Sequence, residues 1–296
     1  MSIKEHPPLH VPVLLTEVLG AMRPQSGENY LDLTAGYGGH AREILGLTTN
    51  YVESTLVDRD EFAQKHLSEF SVKGAQLVHA DFVNAAKQLV QDGRTYSLIL
   101  LDLGVSSPQL DLPERGFSFT NSGPLDMRMD KRQGLTAETL INTANRNNLI
   151  RIIQEFGEEP AGTAKRYADA IIAARPLKST GELAEVVKRA HVGKWQKIHP
   201  ATRTFQAFRI AVNDELRQVE EVMPLIPKLL KKGGRVGVIS FHSLEDRIVK
   251  RYFAEQKSAG YEAELDVLTK KPIDGAVYDV HNPRSRSAKL RVAVKK

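Results

Sequence analysis

Short apolar runs that each end in an acidic residue recur through the first third of the chain. The run Leu98–Leu101 is apolar at every position, which is typical of a strand buried on both faces of a sheet. Stretches of helix-compatible composition separate the runs, so the pattern predicts strands and helices that alternate in a parallel sheet. The runs are Tyr30–Asp32, Tyr51–Asp58, Gln76–Asp81 and Ser97–Asp102.

The pattern changes after Pro113. Irregular sequence over residues 115–134 leads into segments of helical periodicity, and no stretch between there and residue 200 has the pattern of a strand. The predicted helices lie near residues 137–145, 148–156, 161–174 and 182–191.

The last third returns to the strand pattern. Arg235–Ser240 has the composition of another buried strand, and segments 262–269 and 290–294 alternate apolar and polar residues as less buried antiparallel strands do. We therefore predict an α/β fold in which a mostly helical domain interrupts a sheet domain. The sheet domain would comprise residues 1–112 and 213–296, and the inserted domain residues 113–212.

Composition excludes several classes of protein. The chain has 296 residues and no cysteine, which rules out a disulfide framework, a thiolate nucleophile and a cysteine-ligated metal site. No apolar run approaches the roughly 18 residues that a membrane span requires. Met1–Leu9 lacks the apolar core of a secretory signal. We therefore expect a cytoplasmic protein without a membrane partner.

The net charge of +5 is unevenly distributed along the chain. Residues 1–112 carry −6 and residues 213–283 carry −1, whereas residues 113–212 and 284–296 each carry +6. Basic segments on an otherwise acidic chain indicate a surface for a polyanion. A solvated charged face would give the same pattern.

A glycine-rich loop lies at the predicted carboxyl end of the first strand, which is the edge where open parallel sheets bind ligands. Three glycines without side chains would clear space for a ligand in this loop, namely Gly36, Gly38 and Gly39. Asp58 follows the last of these glycines by 19 residues. This is close to the spacing at which an acid accepts hydrogen bonds from ribose hydroxyls.

The strand-end acids bear on the class of ligand. A dinucleotide pyrophosphate requires amide donors and positive charge, whereas Asp58, Asp81 and Asp102 supply carboxylates. These suit the ammonium and sulfonium groups of S-adenosylmethionine, which we favour, with a nicotinamide dinucleotide as the alternative. Phe82 would pack on the adenine. Asp102 would hold the methionine ammonium or orient the acceptor.

Longer strings spread along almost the whole chain are more specific than the glycine loop. They are Asp32-x-Thr34-x-Gly36-x-Gly38-Gly39-His40, Asp58–Asp60, Leu101–Asp111, Arg115–Phe119, Gly123–Asp130, His199–Ala207, Ser240–Lys250 and Asn282–Arg291. In these strings the chain resembles the bacterial 16S rRNA cytosine-N4 methyltransferase family, which modifies the decoding centre.

The resemblance implies a class I (Rossmann-like) methyltransferase sheet with a helical substrate-recognition domain inserted after the fourth strand. It implies methyl transfer from S-adenosylmethionine to N4 of cytidine 1402 in 16S rRNA of the small ribosomal subunit. His40 and Gln109 enter as site residues through the resemblance alone. The cofactor contacts that it implies are Gly38, Gly39, His40, Asp58, Phe82, Asp102 and Gln109.

Candidates for contact with the acceptor base are Asp102, Ser107, Asp126 and His242. Ser107 lies in the counterpart of the short polar-proline motif with which amino-methyltransferases hold an exocyclic amine. Asp126 would act as a base or accept a hydrogen bond from N4, unless it forms a salt bridge with Arg128. His242 follows the fifth strand, where it would contact substrate or make a structural hydrogen bond.

Basic residues that could contact RNA phosphates are Arg203, Arg284, Arg286, Lys289 and Arg291, with Lys194 and Lys197 extending the surface. The alternative is that the C-terminal residues line the solvent face of an edge strand. We expect no bound metal, and a monomer or a homodimer. The competing hypothesis for the whole chain is a non-catalytic ribosome-assembly factor with a vestigial cofactor pocket.

Overall fold

The chain folds into two compact units in the computed structural model, which describes residues 12–193 and 198–296. The first unit comprises the described residues up to Gly104 together with Leu216–Lys296. The second comprises the described part of Val105–Glu215. The second unit therefore interrupts the first in sequence.

The limits of the second unit differ by a few residues from those expected for the inserted domain. The chain enters it at Val105 and leaves it after Glu215, rather than at residues 113 and 212. The motif with Ser107 consequently belongs to the second unit. Lys194 and Lys197 lie outside the described residues.

The first unit is built on one mixed sheet. Its strands are β1 (Tyr30–Asp32), β2 (Thr55–Asp58), β3 (Gln76–His79), β4 (Tyr96–Asp102), β5 (Leu230–Ser240), β6 (Leu265–Val267), β7 (Ile273–Asp274) and β8 (Lys289–Lys295). Their order is β3-β2-β1-β4-β5-β8-β6, with β7 also paired to β8. Strands β1 to β5 run parallel, so their carboxyl ends meet at one edge of the sheet.

Strand β8 runs against the others and pairs antiparallel with β5, β6 and β7. Lys289 pairs with Ser240 and Val294 with Arg235, so β8 begins at the edge where β5 ends. The sheet is thus mostly parallel, with antiparallel strands near the C-terminus and helices around it. This architecture confirms the predicted class I (Rossmann-like) α/β fold.

Helices cover the sheet and make up most of the second unit. They are α1 (Leu15–Met22), α2 (Gly39–Thr48), α3 (Glu61–Val72), α4 (Phe82–Gln91), α5 (Ser107–Asp111), α6 (Ala137–Thr143), α7 (Arg146–Glu155), α8 (Ala161–Ala173), α9 (Thr180–Ala190), α10 (Ala201–Asn213), α11 (Glu215–Val222), α12 (Ile226–Leu229), α13 (Ser243–Ser258) and α14 (Gly275–Tyr278). Short 3-10 helices cover Pro113–Arg115, Met223–Leu225, Gly260–Glu262 and Pro283–Ser287. Among the described helices, none has the length and apolar character needed to cross a membrane.

Local sequence explains where α9 begins. The Ser179 hydroxyl accepts a hydrogen bond from the Glu182 backbone N–H at 3.2 Å, and the Glu182 carboxylate accepts one from the Ser179 N–H at 3.0 Å. This reciprocal cap satisfies two backbone donors that the first turn of a helix leaves unpaired. Helix α9 therefore begins two residues before the helix that the sequence predicts near residues 182–191.

Strand β4 contributes to an apolar layer on each face of the sheet. Ile99 and Leu101 belong to one layer, and Leu98 and Leu100 to the other. All four side chains are fully buried, because successive residues of a strand point to opposite faces and helices cover both faces here. This explains why the run is apolar at every position.

The second unit has its own apolar core, into which α10 inserts Phe205 and Phe208. Asn213, the last residue of α10, is 1% exposed. Its side-chain amide donates to the Met127 carbonyl, and its side-chain carbonyl accepts from the Met129 N–H, both at 2.8 Å. A buried polar group therefore ties the irregular segment before α6 to the helical core.

A buried ion pair joins α13 to β8. The Arg291 guanidinium donates to the Asp246 carboxylate at 2.7 and 3.1 Å, and the two residues are 7% and 8% exposed. The structure contradicts the expected RNA contact of Arg291, because its charged group is buried and already held by a carboxylate. The alternation of apolar and polar residues along a strand does not tell whether an arginine faces solvent or a helix packed on the sheet.

We expect Arg291→Met to lower the free energy of unfolding by about 3–5 kcal/mol, because it leaves the Asp246 carboxylate buried without its partner. The matched control is Lys295→Met in the same strand, which removes a partly exposed pair with Glu264 at 3.2 Å and should cost about 0–1 kcal/mol. Urea unfolding followed by circular dichroism measures both. Equal losses in the two variants would contradict this account of the pair.

Candidate cofactor site at the strand ends

Three carboxylates lie at the carboxyl ends of parallel strands in the first unit. Asp32, Asp58 and Asp102 are the last residues of β1, β2 and β4. Strand β1 lies between β2 and β4, with Asp32 in register with Leu56 and Leu100. The sheet therefore brings together acids that are far apart in sequence, as the strand pattern predicts.

The glycine loop between β1 and α2 packs tightly. Gly38 has φ +77°, and a Cβ added there would lie 2.5 Å from the Phe70 ring. A Cβ on Gly39 would lie 2.8 Å from Cγ of Pro12. The space expected for a ligand at these two positions is thus filled by protein side chains, so the structure gives the glycines a packing role. Ligand contact through their backbone stays a prediction.

Asp58 accepts hydrogen bonds from the backbone N–H groups of Gly36 and Asp60, both at 2.7 Å. Burial raises its pKa to about 6, and these two hydrogen bonds oppose the shift. Asp58 therefore holds the glycine loop in place. Each carboxylate oxygen has a second lone pair with which it could accept a hydroxyl.

Asp32 is more deeply buried, at 2% exposure. Its carboxylate accepts hydrogen bonds from the Tyr30 hydroxyl at 2.7 Å and from the Thr34 N–H at 3.1 Å. Burial nevertheless raises the pKa of Asp32 to about 7, and repulsion from Asp58 adds to the shift. The resemblance did not include Asp32 among the cofactor contacts. The feature of the sequence that could have identified Asp32 is Tyr30, which lies two residues earlier and therefore on the same face of the strand.

Asp102 lies next to a buried histidine. His40 is 5% exposed, and burial lowers its pKa to about 4, so the ring is neutral near pH 7. Its Nε2 lies 3.7 Å from Asp102 Oδ2. Burial, together with repulsion from Asp32 and Glu245, raises the pKa of Asp102 well above its usual range. Asp102 Oδ1 is buried and has no hydrogen-bond partner among the described residues.

These observations together define the ligand that the strand ends suit. Asp32, Asp58 and Asp102 each have a raised pKa, and burial is the first cause in every case. A nearby positive charge would stabilise the ionised carboxylates and lower these pKa values. The buried, unpaired oxygen of Asp102 also favours a ligand that donates a hydrogen bond. The donor set therefore fits a cationic ligand and not a pyrophosphate.

The third strand end differs from the other three. Asp81, which follows β3, begins helix α4 by accepting hydrogen bonds from the N–H groups of Val83 and Asn84 at 3.1 and 2.9 Å. Phe82 is the first residue of this helix, half-buried and packed against the apolar layer of the sheet. Asp81 is thus a helix cap, while Phe82 keeps part of its surface exposed.

Two of the predicted site residues in the second unit already have protein partners. Gln109, 5% exposed, accepts a hydrogen bond from the Ser106 N–H at 3.0 Å at the start of α5. Asp126 forms a two-pronged ion pair with Arg128 at 2.7 and 3.0 Å. The hydrogen bond from Arg128 opposes burial and holds the pKa of Asp126 below its usual value. This is the salt bridge that was the alternative to a catalytic role.

His242 also makes contacts within its own unit. It begins α13, where its Nδ1 lies 3.5 Å from the Glu245 backbone nitrogen and its Nε2 lies 3.2 Å from the Glu245 carboxylate. Glu245 is 1% exposed and accepts a hydrogen bond from the Phe241 N–H at 2.8 Å. The imidazole is therefore oriented toward the first turn of α13. These contacts correspond to the structural alternative for His242.

The basic candidates occupy different environments. Arg203 lies in α10 of the second unit. Arg284 is half-buried and Arg286 exposed, both in the 3-10 helix before β8. Lys289 begins β8 with its Nζ 3.9 Å from Asp246. Of the C-terminal candidates, Arg286 thus presents its charge most fully to solvent.

Comparison with known proteins places this arrangement in a family. The sequence profile of the MraW methylase family matches residues 8–296. The chain belongs to this family. It is 45% identical to the ribosomal RNA small subunit methyltransferase H of Synechocystis sp., over 97% of this chain and 93% of that protein. It is 46% identical to the protein of the same name from Geobacter sp., over 97% and 98% of the two chains.

Among solved structures, a putative rRNA methylase from Clostridium thermocellum aligns with 97% of this chain and 100% of its own, with a TM-score of 0.47 and 9% identity. This score is too low to support a conclusion about ligand or reaction. The MraW profile, in contrast, spans both units. The helical unit is therefore part of the family's architecture and not an addition peculiar to this chain.

We expect Asp32→Asn to reduce the pH dependence of stability. The pKa of Asp32 is about 7 in the folded protein against an ordinary 3.8, so the folded state binds the proton more tightly. The stability from this group is complete below about pH 4 and is lost as the pH rises through about 7. The wild-type free energy of unfolding should fall about 2–3 kcal/mol more than that of the variant between about pH 5 and pH 8. Parallel pH profiles in urea unfolding would refute the raised pKa.

Proposed function

We propose that this MraW-family chain transfers a methyl group from S-adenosylmethionine to the exocyclic N4 of cytidine 1402 in 16S rRNA. The family and the names of its curated relatives support methylation of small-subunit rRNA. The observation that carries the choice of methyl donor is the set of buried carboxylates at the strand ends, whose pKa values are raised and among which Asp102 Oδ1 has no hydrogen-bond partner in the described part of the chain. The motifs shared with the cytosine-N4 family support the choice of acceptor.

The residues at the strand ends have separate roles in holding the donor. Asp58 accepts the ribose hydroxyls with the lone pairs that the glycine loop leaves available. Asp102 accepts a hydrogen bond from the methionine ammonium through its buried Oδ1. Neutral His40 adds no competing positive charge beside it. Phe82 packs on the adenine. The family motifs also imply a cofactor contact for Gln109, which belongs to the second unit. The donor itself supplies a methyl group on a positively charged sulfur.

Transfer to cytosine N4 requires help because the lone pair of this nitrogen is delocalised into the ring. Hydrogen-bond acceptors on its two hydrogens localise the lone pair and stabilise the positive charge that develops. In-line transfer then requires N4 to be held about 3 Å from the methyl carbon. Ser107 and the second oxygen of Asp102 are the stronger candidates for these acceptors, since Asp126 is held by Arg128.

Basic residues on both units bind the RNA backbone. Arg203 acts from the second unit, and Arg284, Arg286 and Lys289 act from the first. Contacts of this kind position the nucleic acid without reading its sequence. A base in folded RNA must also be unstacked before it enters a pocket. Specificity for one cytidine therefore depends on how the surrounding RNA is held.

Transfer of label from methyl-labelled S-adenosylmethionine to small subunits from a strain without this gene tests the reaction. We expect label in 16S rRNA, recovered as N4-methylcytidine after nuclease digestion and mass analysis of the nucleosides. Subunits from the parent strain serve as the control, because their target is already modified. Absence of label with intact RNA binding would favour the non-catalytic assembly factor, and label on another nucleoside would refute the acceptor.

Calorimetry with S-adenosylmethionine and S-adenosylhomocysteine tests Asp102. We expect Asp102→Asn to weaken both ligands about tenfold or more, since a hydrogen bond to a charged group contributes about 1.5–3 kcal/mol and both ligands carry the ammonium. The matched control is Asp81→Asn, which removes the same charge at the same sheet edge from a helix cap and should change affinity by less than about threefold. Equal losses of affinity in the two variants would mean that binding depends on the total negative charge at the sheet edge and not on a hydrogen bond to Asp102.

A further inference from the structure

The segment between β7 and β8 forms a closed unit, which we call the 275–288 element. It contains α14 and the 3-10 helix Pro283–Ser287. The Gly275 N–H donates to the Ala288 carbonyl at 2.9 Å, which joins its two ends. A Cβ on Gly275 would lie 1.9 Å from the Ser285 carbonyl oxygen, so the two helices touch backbone to backbone. The element is therefore fixed by its own contacts.

The element lies at the sheet edge that carries the cofactor site. Lys289, the next residue, pairs with Ser240 at the end of β5, and β5 is the neighbour of β4, which ends at Asp102. A second connection runs through the segment before α1. Asp279 accepts a hydrogen bond from the Leu14 N–H at 2.9 Å, and Pro12 packs on Gly39 of the glycine loop. The 275–288 element is thus tied to the loop of the cofactor site.

The outer surface of the element carries large apolar side chains that are exposed to solvent. Val277, Tyr278 and Val280 are 65%, 62% and 62% exposed. Its one acid, Asp279, accepts hydrogen bonds from the Leu14 N–H and the Ser285 hydroxyl, and Asp274, just before the element, caps α14. The element therefore presents an aromatic ring to solvent without an available carboxylate.

Positive charge lies in the same element as Tyr278, because Asp279, the residue after Tyr278, accepts a hydrogen bond from the hydroxyl of Ser285, the residue before Arg286. The basic residues later in the tail are neutralised by acids, as the pairs Arg291–Asp246, Lys295–Glu264 and Lys296–Asp266 show. Arg286 is exposed and forms no ion pair with another described residue. An exposed aromatic ring and an exposed arginine within one short element are a combination that binds single-stranded nucleic acid, where bases stack on the ring and phosphates contact the cation.

We propose that the 275–288 element binds an unpaired nucleotide of the RNA substrate, with its base stacked on Tyr278 and its phosphate at Arg286. This rests on the proposed rRNA substrate and adds a contact outside the methyl-transfer site. Base-paired RNA is not a suitable partner, because its bases are already stacked on one another. The nucleotide bound here is therefore one that is unpaired near the target.

The test measures binding of the full chain to a short fluorescein-labelled pyrimidine oligoribonucleotide without secondary structure. We expect Tyr278→Ala to raise Kd about fivefold or more, and Tyr278→Phe, which keeps the ring, to stay within about twofold of wild type. Arg286→Gln should raise Kd and reduce its dependence on salt. The matched control is Tyr261→Ala, because Tyr261 is fully exposed beside Gly260, which accepts from Lys296 at the opposite end of β8.

Several results would overturn the proposal. One is unchanged RNA affinity in Tyr278→Ala while S-adenosylmethionine affinity confirms that the variant is folded. Another is an equal loss in Tyr261→Ala, which would indicate nonspecific binding. Loss of binding to the assembled small subunit, but not to the oligonucleotide, would assign the surface to a ribosomal protein. The proposed function fails separately, because absence of methyl transfer by the wild type would leave a Tyr278-dependent RNA affinity intact.

Discussion

Burial of carboxylates at one sheet edge is the constraint around which the first unit is organised. Parallel pairing of β1, β2 and β4 places Asp32, Asp58 and Asp102 at the same edge. Burial then makes their ionised forms unfavourable. Hydrogen bonds from backbone N–H groups and from the Tyr30 hydroxyl stabilise the ionised forms of Asp32 and Asp58 in part. Asp102 Oδ1, in contrast, has no hydrogen-bond partner among the described residues. The fold thus keeps a local instability that a cation would remove.

The surrounding structure holds this edge rigid. Apolar layers cover both faces of β4 and fix the strand by packing on each side. The glycine loop is packed by Phe70 and Pro12 and is held by Asp58. The His40 ring adds no positive charge beside Asp102, since it is neutral near pH 7, and the charge of Arg59 only partly offsets the raised pKa of Asp58. The carboxylates are therefore held in position by the protein alone, as a preorganised binding site requires.

The direction of strand β8 determines at which edge of the sheet each residue of the C-terminal segment lies. Because it runs antiparallel to β5, its first residue lies at the acidic edge and its last residues at the other. Arg291, in the middle, pairs with Asp246 inside the unit. The positive charge of the tail is consequently not a uniform surface. Arg291, Lys295 and Lys296 are paired with acids, whereas the exposed Arg286 precedes the β8 residue that pairs with the end of β5.

Much of the fold and part of the site follow from local sequence. Apolar runs that end in acids identified β1, β2 and β4 and their terminal carboxylates, because strand burial and the turn after a strand are encoded in consecutive residues. The same holds for α9 and its Ser179 cap. The family motifs added His40, whose burial near Asp102 has no local signal.

The tertiary structure decided the remaining questions, all of which concern partners distant in sequence or the direction of a side chain. It paired Asp126 with Arg128 and His242 with Glu245, which sequence left as alternatives. It buried Arg291 opposite Asp246 and brought Tyr278 to the acidic edge. Local sequence sets which residues form a strand, but strand order, register and direction determine which charges meet, because these depend on how the whole sheet packs.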